Sequence, residues 1–224
     1  MNQETEDITA IIVNYRTPEL TRMALWSLHS LYPDLKILLI DNNSPTAELT
    51  QIEKYLEHLK GVQLIKNKTN RHHGPAMDQA LQMCRSRFAL LFDSDCIAYR
   101  KGFIEAMKKA HGEDSYMTGE MQYLNHRGFN VSENEPERLP YIHPHCALIN
   151  VEQYAGLPPF EKHGSPCFSN QKEANRRKLK LTDFPVDEYV YHIGRGTVNE
   201  IGGYKLGLPG YLNKIGNRLS KLLP

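Results

Sequence analysis

The sequence predicts an α/β fold in which a mostly parallel, Rossmann-like sheet carries helices on both faces. Two observations support this prediction. Over the first 92 residues, short apolar strands alternate with helices whose apolar residues recur at intervals of three and four. The strands are also apolar on both faces, which is typical of strands inside a parallel sheet. A chain of 224 residues is long enough for one domain of this kind.

The first four strands alternate strictly with three helices. Apolar runs at 8–13, 35–40, 62–65 and 88–92 predict the strands. Thr17-Pro18 and Ser44-Pro45 each start a helix with a capping residue and a first-turn proline, and the third helix is predicted at 74–84. Right-handed crossovers between parallel strands then place these helices on both sides of the sheet.

The second half of the chain has a less regular pattern. Residues 101–110 predict a helix, and 125–140 predict a loop that is rich in Asn, Gly, Glu and Pro. Further strands are predicted at 141–150 and 179–193. Because no Ser/Gly linker and no repeat interrupts the chain, we expect residues 1–224 to form a single domain.

Composition excludes several classes of protein. The 27 Lys and Arg residues against 26 Asp and Glu give a net charge of +1, without the basic excess of a dedicated nucleic-acid binder. No run of 18 apolar residues occurs, and the acidic start lacks the basic-then-apolar order of a signal peptide. The four cysteines show no CxxC spacing. We therefore expect a soluble, cytoplasmic protein with reduced cysteines.

His143, His145 and Cys146 are close enough in the sequence to suggest a zinc site. However, alternation along the predicted strand places the two histidines on one face and Cys146 on the other. A zinc ion needs its ligands on one side of the strand. The sequence therefore does not favour zinc at this position.

Polar residues follow each of the first four predicted strands, at the edge of the sheet where α/β proteins bind ligands. These residues are Asn14-Tyr15-Arg16, Asp41-Asn42-Asn43, Lys66 and Asn67 followed by Arg71-His72-His73, and Asp93-Ser94-Asp95. No GxGxxG follows the first strand and no GxxxxGK[ST] occurs. A bound phosphate is therefore not expected to rest on a glycine-rich loop.

Asp93 and Asp95 suggest another way to hold phosphate. Two carboxylates one residue apart, at the end of a buried strand, can bind a divalent cation that bridges a pyrophosphate. Pairs of aspartates at this spacing are common by chance, so the position after the strand is the informative feature. The alternative is that one aspartate caps a helix and the other is solvated.

The segments Ile8 to Tyr15, Leu39 to Ser44 and Leu90 to Asp95 resemble the successive motifs of the family 2 glycosyltransferases, which have a GT-A fold. The resemblance covers residues 8–110 well and continues more loosely through 189–194. It implies a nucleotide-sugar-binding half at 8–110 and an acceptor-binding half at 111–200. The order of three motifs is more specific than the DxD motif alone.

The resemblance implies which residues bind the donor nucleotide. In this family the end of strand one, here Val13, Asn14 and Tyr15, cradles the base together with an acidic pair after strand two. That pair is Asp41 and Asn42 in this chain. An amide still offers hydrogen bonds to a base edge, but the change leaves the identity of the base open.

The segment between strands three and four contacts ribose and diphosphate in the family. It contains Arg71, His73 and Asp78 here, and Arg71 is our choice for the phosphates. The resemblance implies that Asp93 contacts the nucleotide or the metal, with Ser94 beside it in the donor site.

The resemblance also implies a metal site. Asp95 is expected to ligate a Mn²⁺ or Mg²⁺ ion and to be essential for catalysis, with Asp93 beside it. A histidine on a late strand often completes the metal or phosphate site, and His192 occupies that place, close to Arg195.

The resemblance does not identify the catalytic base. Many relatives carry it in a Glu-Asp pair about 25 residues before the late histidine. The corresponding residues here, 165–168, contain no acid. Glu161 and Glu173 flank the gap, and Asp114 and Glu120 are further alternatives. We favour Glu161 as the base of an inverting reaction, and a retaining route through a phosphate oxygen is the alternative.

Three functions remain under consideration. The first is a metal-dependent glycosyltransferase that uses a nucleotide-diphosphate sugar and a glycan, lipid-linked or small-molecule acceptor. The second is a non-catalytic binding module on the same scaffold, which the missing acid would favour. The third is a phosphotransferase of the haloacid-dehalogenase type, whose DxD loop, however, follows the first strand rather than the fourth.

The C-terminal tail, 205–224, predicts a basic amphipathic helix. Its apolar residues from Tyr211 to Leu223 lie on one helical face, and no acid occurs after Glu200. Such a helix packs on its own domain or on a partner, or it rests on an anionic membrane near a lipid-linked acceptor.

We predict that the full chain pellets with anionic liposomes and that a chain ending at Pro209 does not. Each basic residue near the surface contributes about 1 kcal/mol, so salt should weaken the binding. Equal pelleting of the two chains would leave packing on protein as the role of the tail.

Overall fold

A mixed sheet with helices on both faces forms the centre of the computed structural model, which describes residues 5–161 and 164–194. The first half of the chain contains the elements β1 Ile8–Asn14, α1 Pro18–Leu31, β2 Lys36–Asp41, α2 Thr46–Leu56, β3 Val62–Lys66, α3 His73–Met83, β4 Phe88–Phe92, β5 Cys96–Ala98 and α4 Phe103–Ala110. The four predicted strands and the four predicted helices of this half are therefore present within a few residues of the expected bounds.

The second half adds strands and three short helices. Its elements are β6 Ser115–Leu124, β7 Leu139–Asn150, α5 Val151–Tyr154, α6 Phe168–Arg176, β8 Lys180–Asp183, a 3-10 helix at Val186–Glu188 and β9 Val190–His192. The predicted loop at 125–140 connects β6 to β7.

The strand order of the seven-stranded sheet is β3-β2-β1-β4-β7-β6-β8. The first four strands are parallel, and β7 and then β6 extend the sheet in antiparallel fashion, with β8 parallel to β6. The predicted α/β class with a mostly parallel sheet is therefore confirmed. Asn14 at the end of β1 lies beside Asp41 at the end of β2, so the carboxyl ends of the two strands are level.

The two faces of the sheet carry separate apolar cores. Ile8, Ala10 and Ile12 pack against α1, α2 and α4, whereas Ile11 and Val13 pack against α3 and the segments around α5 and α6. The β1 side chains therefore enter both cores in alternation, as expected for a strand that is apolar throughout. This burial makes the central strands a rigid support for the polar residues that follow them.

The strand predicted at 179–193 is not continuous, and this expectation was wrong. It is divided into β8, the 3-10 helix and β9, because Pro185 has no N–H group to continue a ladder. After the interruption, β9 pairs with β5 in a separate two-stranded antiparallel sheet. The sequence pattern also did not predict β5, β6, α5 or α6.

Two further expectations concern contact with a membrane. None of the described helices is both long enough and apolar enough to cross a membrane. The predicted amphipathic tail at 205–224 lies outside the described residues. The division into donor and acceptor halves stays a prediction.

His111 is a half-buried histidine that follows α4, beside the amino end of β4. Its ring packs edge-on against Phe88, with ring centroids 5.2 Å apart, and its Nδ1 atom lies 2.8 Å from the hydroxyl of Thr118. Burial lowers the pKa of His111 to about 4, although a hydrogen bond to the Ser115 backbone acts in the opposite direction.

We predict that His111 destabilises the fold as the pH falls from about 6.5 to about 4, because the unfolded chain binds the proton first. The loss is up to about 1.4 kcal/mol per pH unit within that window. Denaturant unfolding at about pH 7 and about pH 4.5 should show a smaller difference for His111→Gln than for the native chain. Exposed His58→Gln is the control, and identical pH dependence in all three would contradict the prediction.

Candidate active site

Polar residues from four parallel strands gather at the carboxyl edge of the sheet. Asn14 is fully buried there and donates to the Asp41 carboxylate at 2.7 Å and to the Ser44 hydroxyl at 3.0 Å. Its carbonyl oxygen accepts hydrogen bonds from the hydroxyls of Thr17 and Thr21. Asn14 and Asp41 therefore use their polar atoms to fasten the ends of β1 and β2 to the start of α1.

The second oxygen of Asp41 accepts a hydrogen bond from the backbone N–H of Ser44 at 3.0 Å. Val13 lies in the apolar core, and the Tyr15 side chain is half-buried just beyond the strand. The structure thus places the predicted base-binding residues at one edge. Their contact with a nucleotide stays a prediction.

Asn42 shapes the loop that leads from β3 to α3. Its oxygen accepts hydrogen bonds from the side chain of Asn67 and the backbone N–H of Arg71, and its nitrogen donates to Asn70 and to the carbonyl of His72. A carboxylate could not donate the last two hydrogen bonds. This network gives a structural reason for an amide where many family members have an acid.

Arg71 projects from this loop near the start of α3. Its Nη1 atom donates to Gln79 at 2.8 Å, and Gln79 in turn donates to Asn67 at 3.0 Å. The side chain is exposed, so four of its five N–H donors need no partner within the protein. The position suits a contact with a bound anion, which stays a prediction.

Asp78 occupies a different environment. It is buried on α3, where its carboxylate accepts hydrogen bonds from the hydroxyl of Tyr154, from the backbone N–H of Phe160 and from Gln82. Burial raises the pKa of this carboxyl above its ordinary value. In this structure Asp78 connects α3 to the segment after β7, and its predicted contact with the donor is untested.

Asp93, Ser94 and Asp95 form a tight turn between β4 and β5. The N–H of Asp93 donates to the carbonyl of His145 on β7 at 2.8 Å, and the N–H of Cys96 donates back to the carbonyl of Asp93 at 3.0 Å. Ser94 and Asp95 are buried. The backbone therefore fixes both carboxylates at the end of the sheet.

His192 reaches this turn from a distant part of the sequence. It is the register partner of Cys96 in the β5–β9 ladder, and its Nε2 atom lies 3.3 Å from Asp95 Oδ1. The N–H of Ile193 also donates to the carbonyl of Asp95 at 3.0 Å. The structure thus brings the three predicted metal ligands, Asp93, Asp95 and His192, into one region.

His73 pairs with the first aspartate of the turn, with 3.3 Å between its Nε2 atom and Asp93 Oδ1. Burial raises the pKa of Asp93, but the nearby histidines His73, His143 and His145 lower it by a larger amount. The pKa of Asp93 is therefore well below its ordinary value. Conversely, burial lowers the pKa of His73, and the charge of Asp93 more than offsets this effect. Asp93 is therefore a stable anion in the site.

Two more histidines, His143 and His145 on β7, surround the aspartates. Their Nδ1 atoms are 2.7 Å apart, and the ring of His145 stacks on that of His192 with centroids 4.5 Å apart. The Nε2 atom of His145 lies 3.5 Å from the Glu120 carboxylate. Burial and the neighbouring His143 and His192 lower the pKa of His145 to about 3, so its imidazole is neutral near neutral pH.

Sequence reasoning did not place His143, His145 or Cys96 beside the two aspartates. The structure agrees with the predicted alternation of side chains along this strand. The neighbouring residues Cys146 and Ala147 enter opposite cores, and the rings of His143 and His145 contact each other. The sequence does contain a His-Pro-His segment at 143–145. Its place beside the aspartates follows only from the antiparallel pairing of β7 with β4, which puts Cys146 beside Phe92.

Asp95, Cys96 and His192 form a group that can hold a metal ion. One ligand atom from each, a carboxylate oxygen, the sulfur and a ring nitrogen, lies within 4.8 Å of the others. Oxygen and nitrogen donors suit a divalent transition metal such as Mn²⁺ better than they suit Mg²⁺, which prefers oxygen ligands alone. The residues present therefore fit a divalent cation.

Glu161 lies against the first turn of α3. Its carbonyl oxygen would be 1.7 Å from a Cβ atom at Gly74, so only glycine permits this approach. The neighbour of Gly74 is His73, which pairs with Asp93. The exposed Glu161 carboxylate accepts a hydrogen bond from Ser169 at 2.5 Å.

The other candidate bases occupy less suitable positions. Glu173 on α6 forms ion pairs with Arg176 and Arg177, each at 2.7 Å. Asp114 precedes β6, which starts at the edge of the sheet opposite Asp93. Glu120 faces the buried His145. Glu161 forms no ion pair among the described residues, and its backbone lies against the start of α3, next to the His73–Asp93 pair.

Comparisons with known proteins agree with this architecture. A family model described as glycosyl transferase family 2 matches residues 9–154. A comparison with curated proteins gave no match.

Several solved structures share the fold. The mannosyltransferase PcManGT from Pyrobaculum calidifontis, in complex with GDP-Man and Mn²⁺, has a TM-score of 0.64 and 13% identity over 80% of this chain and 55% of its own. GalNAc-T7 with UDP, GalNAc and Mn²⁺ has a TM-score of 0.66 and 14% identity over 83% of this chain and 43% of its own. S. aureus TarS 1-349 with UDP has a TM-score of 0.58 and 16% identity over 89% of this chain and 67% of its own.

This chain spans about half the length of the first two of these proteins. At such low identity the likeness shows the fold alone, which is the GT-A fold. The family model, in contrast, covers about two thirds of the 224 residues, and it replaces the haloacid-dehalogenase interpretation of the DxD segment. The chain therefore belongs to glycosyl transferase family 2.

Proposed function

We propose that this glycosyltransferase moves a sugar from a nucleotide-diphosphate sugar to a hydroxyl of a glycan, a lipid-linked molecule or a small molecule, with the help of a divalent cation. One observation carries the proposal. Asp95 and His192 are 97 positions apart in the sequence, yet their side chains lie 3.3 Å apart at the ligand-binding edge of the sheet. Asp93 completes the turn beside them.

The similar structures support the donor class and the cation. They were solved with GDP-Man and Mn²⁺, with UDP, and with UDP, GalNAc and Mn²⁺. Asp95 and His192, with Asp93 nearby, would hold the cation in this chain, and Mg²⁺ is the second expectation. A bound cation supplies positive charge that stabilises the diphosphate as it leaves the sugar.

The residues of the chain have separate tasks in this proposal. The edge formed by Val13, Tyr15, Asp41 and Asn42 receives the base, and its internal hydrogen bonds hold it in shape before the donor arrives. Preorganised polar groups stabilise developing charge without a reorganisation cost. Arg71, at the adjacent loop, adds a cationic contact to the diphosphate.

An inverting reaction also needs a base that accepts the proton of the acceptor hydroxyl as its oxygen attacks the anomeric carbon. Glu161 is the carboxylate that the proposal assigns to this step. Its support is its place against Gly74, next to the His73–Asp93 pair, and its exposure to solvent. The Ser169 hydrogen bond orients the carboxylate.

We predict that Asp95→Ala lowers sugar transfer, or donor hydrolysis, by at least about a hundredfold. The reason is the loss of a cation ligand at the leaving group. Candidate donors are found first by thermal shift with UDP-, GDP- and dTDP-sugars with and without Mn²⁺, because binding raises the apparent stability.

The matched control is Asp34→Ala, since Asp34 is an exposed aspartate before β2. Circular dichroism should show that both variants are folded. Full activity of the native chain in excess EDTA would contradict a role for the cation.

We predict that Glu161→Gln lowers kcat by at least about a hundredfold and leaves donor binding unchanged. Glutamine keeps an oxygen that can accept the Ser169 hydrogen bond, so the change removes mainly the ability to take a proton. Glu173→Gln on α6 serves as the control and should retain activity. If Glu161→Gln and the native chain have equal rates, Glu161 is not the base and another group accepts the proton.

A further inference from the structure

We propose that the Cys96 sulfur is a direct ligand of the cation, together with Asp95 and His192, and that the site therefore prefers sulfur-accepting metals such as Zn²⁺ and Co²⁺ to Mg²⁺. This inference rests on the metal dependence proposed above. It adds a donor atom that the DxD pattern and the late histidine do not supply.

The first support is the geometry of the β5–β9 ladder. Cys96 and His192 are register partners, so their side chains lie side by side on one face of this two-stranded sheet. Asp95 precedes Cys96 directly, and its carbonyl accepts the N–H of Ile193. The three side chains thus come from two paired strands whose backbone holds them together.

The second support is the distance among the ligand atoms. The sulfur, the carboxylate oxygen and the ring nitrogen lie within 4.8 Å of one another. Ligands of one ion bind at about 2.0–2.3 Å from it, so neighbouring ligand atoms lie about 3–4.5 Å apart. Small side-chain rotations are therefore enough to place all three around a single ion.

The third support is the direction of the thiol. Cys96 is fully buried, and its sulfur donates to the carbonyl of His145 at 3.4 Å, which places it beside the turn that holds Asp93. On metal binding the S–H proton leaves to solvent and the metal–sulfur bond forms in its place. Oxidation states do not change in this step.

The chemistry of the donor set then determines selectivity. Thiolate and imidazole ligands favour Zn²⁺ and Co²⁺, whereas Mg²⁺ requires oxygen ligands and near-octahedral geometry. Affinity should therefore increase in the order Mg²⁺, Mn²⁺, Co²⁺, Zn²⁺. The carboxylate of Asp93, in the same turn as Asp95, adds attraction for any divalent cation.

The test measures the metal site of the full-length protein directly. The Zn²⁺-loaded native chain is examined by X-ray absorption at the zinc edge, where a sulfur ligand gives a shell at about 2.3 Å and nitrogen and oxygen give one at about 2.0–2.2 Å. The proposal expects a sulfur shell in the native chain and in Cys84→Ser, whose altered thiol is remote from the site. It expects no sulfur shell in Cys96→Ser.

The Co²⁺-loaded proteins provide a second readout. Sulfur-to-cobalt charge-transfer absorption should be present in the native chain and absent from Cys96→Ser, and Co²⁺ affinity should fall by more than about tenfold. If Cys96→Ser does not fold, the native spectra still decide, because nitrogen and oxygen ligands alone would overturn the proposal.

The outcomes separate this inference from the proposed function. Cation binding at Asp95 and His192 without a sulfur shell would mean that Cys96 is a core thiol only, and metal-dependent transfer would still stand. Sulfur ligation that survives Asp95→Ala and His192→Ala would locate the metal elsewhere and overturn the inference. Metal-independent transfer would overturn the function, whatever the spectra show.

Discussion

The pairing of β5 with β9 is the contact on which the cluster of Asp95, Cys96 and His192 depends. It joins two three-residue strands that are separated by almost half of the chain, and it brings His192 to Asp95. Only three register pairs form this ladder, so its stability comes from the core around it. Cys96, Ala98 and Val190 enter the same apolar core as α1 and α4. The packing of these helices therefore also supports the Asp95–His192 pair.

A second constraint acts at the ends of β1 and β2. Polar groups in this buried region must be hydrogen-bonded, since an unpaired one costs about 1–3 kcal/mol. Asn14, Asp41 and Asn42 satisfy one another and the neighbouring loops, and at the same time they stiffen the edge of the sheet. The residues that resemble a nucleotide site are therefore also structural. Substituting them would change stability and binding together, so activity loss alone would not reveal their role.

The sequence was sufficient to predict most elements of the first 110 residues and insufficient to predict how the strands after them pair. A strand such as Phe88–Phe92 is apolar throughout and has sharp boundaries. The polar residues Asp93 and Asp95 follow it directly in the sequence. Alternation could place His143 and His145 on one face, but it could not show which strand β7 joins. Long-range register has no local signal in a single sequence. The break occurs at Pro185, inside a segment that was expected to form one strand. The same limit kept Cys96 out of the predicted site, because only its pairing with His192 reveals its place.

The electrostatics of the site follow from its burial. Asp93 and Asp95 are separated by one residue in the turn, and each has a histidine nitrogen 3.3 Å away. Two like charges in a largely buried region are costly unless a cationic partner offsets them. The Nε2 atom of His192 can donate to Asp95 or ligate a cation, but not both, since ligation uses the lone pair that a proton would occupy. Burial lowers the pKa of His192, and Asp95 raises it above its ordinary value. Protons and cations therefore compete for the same pair of side chains, and the neutral, stacked His145 keeps the His192 ring in position for either partner.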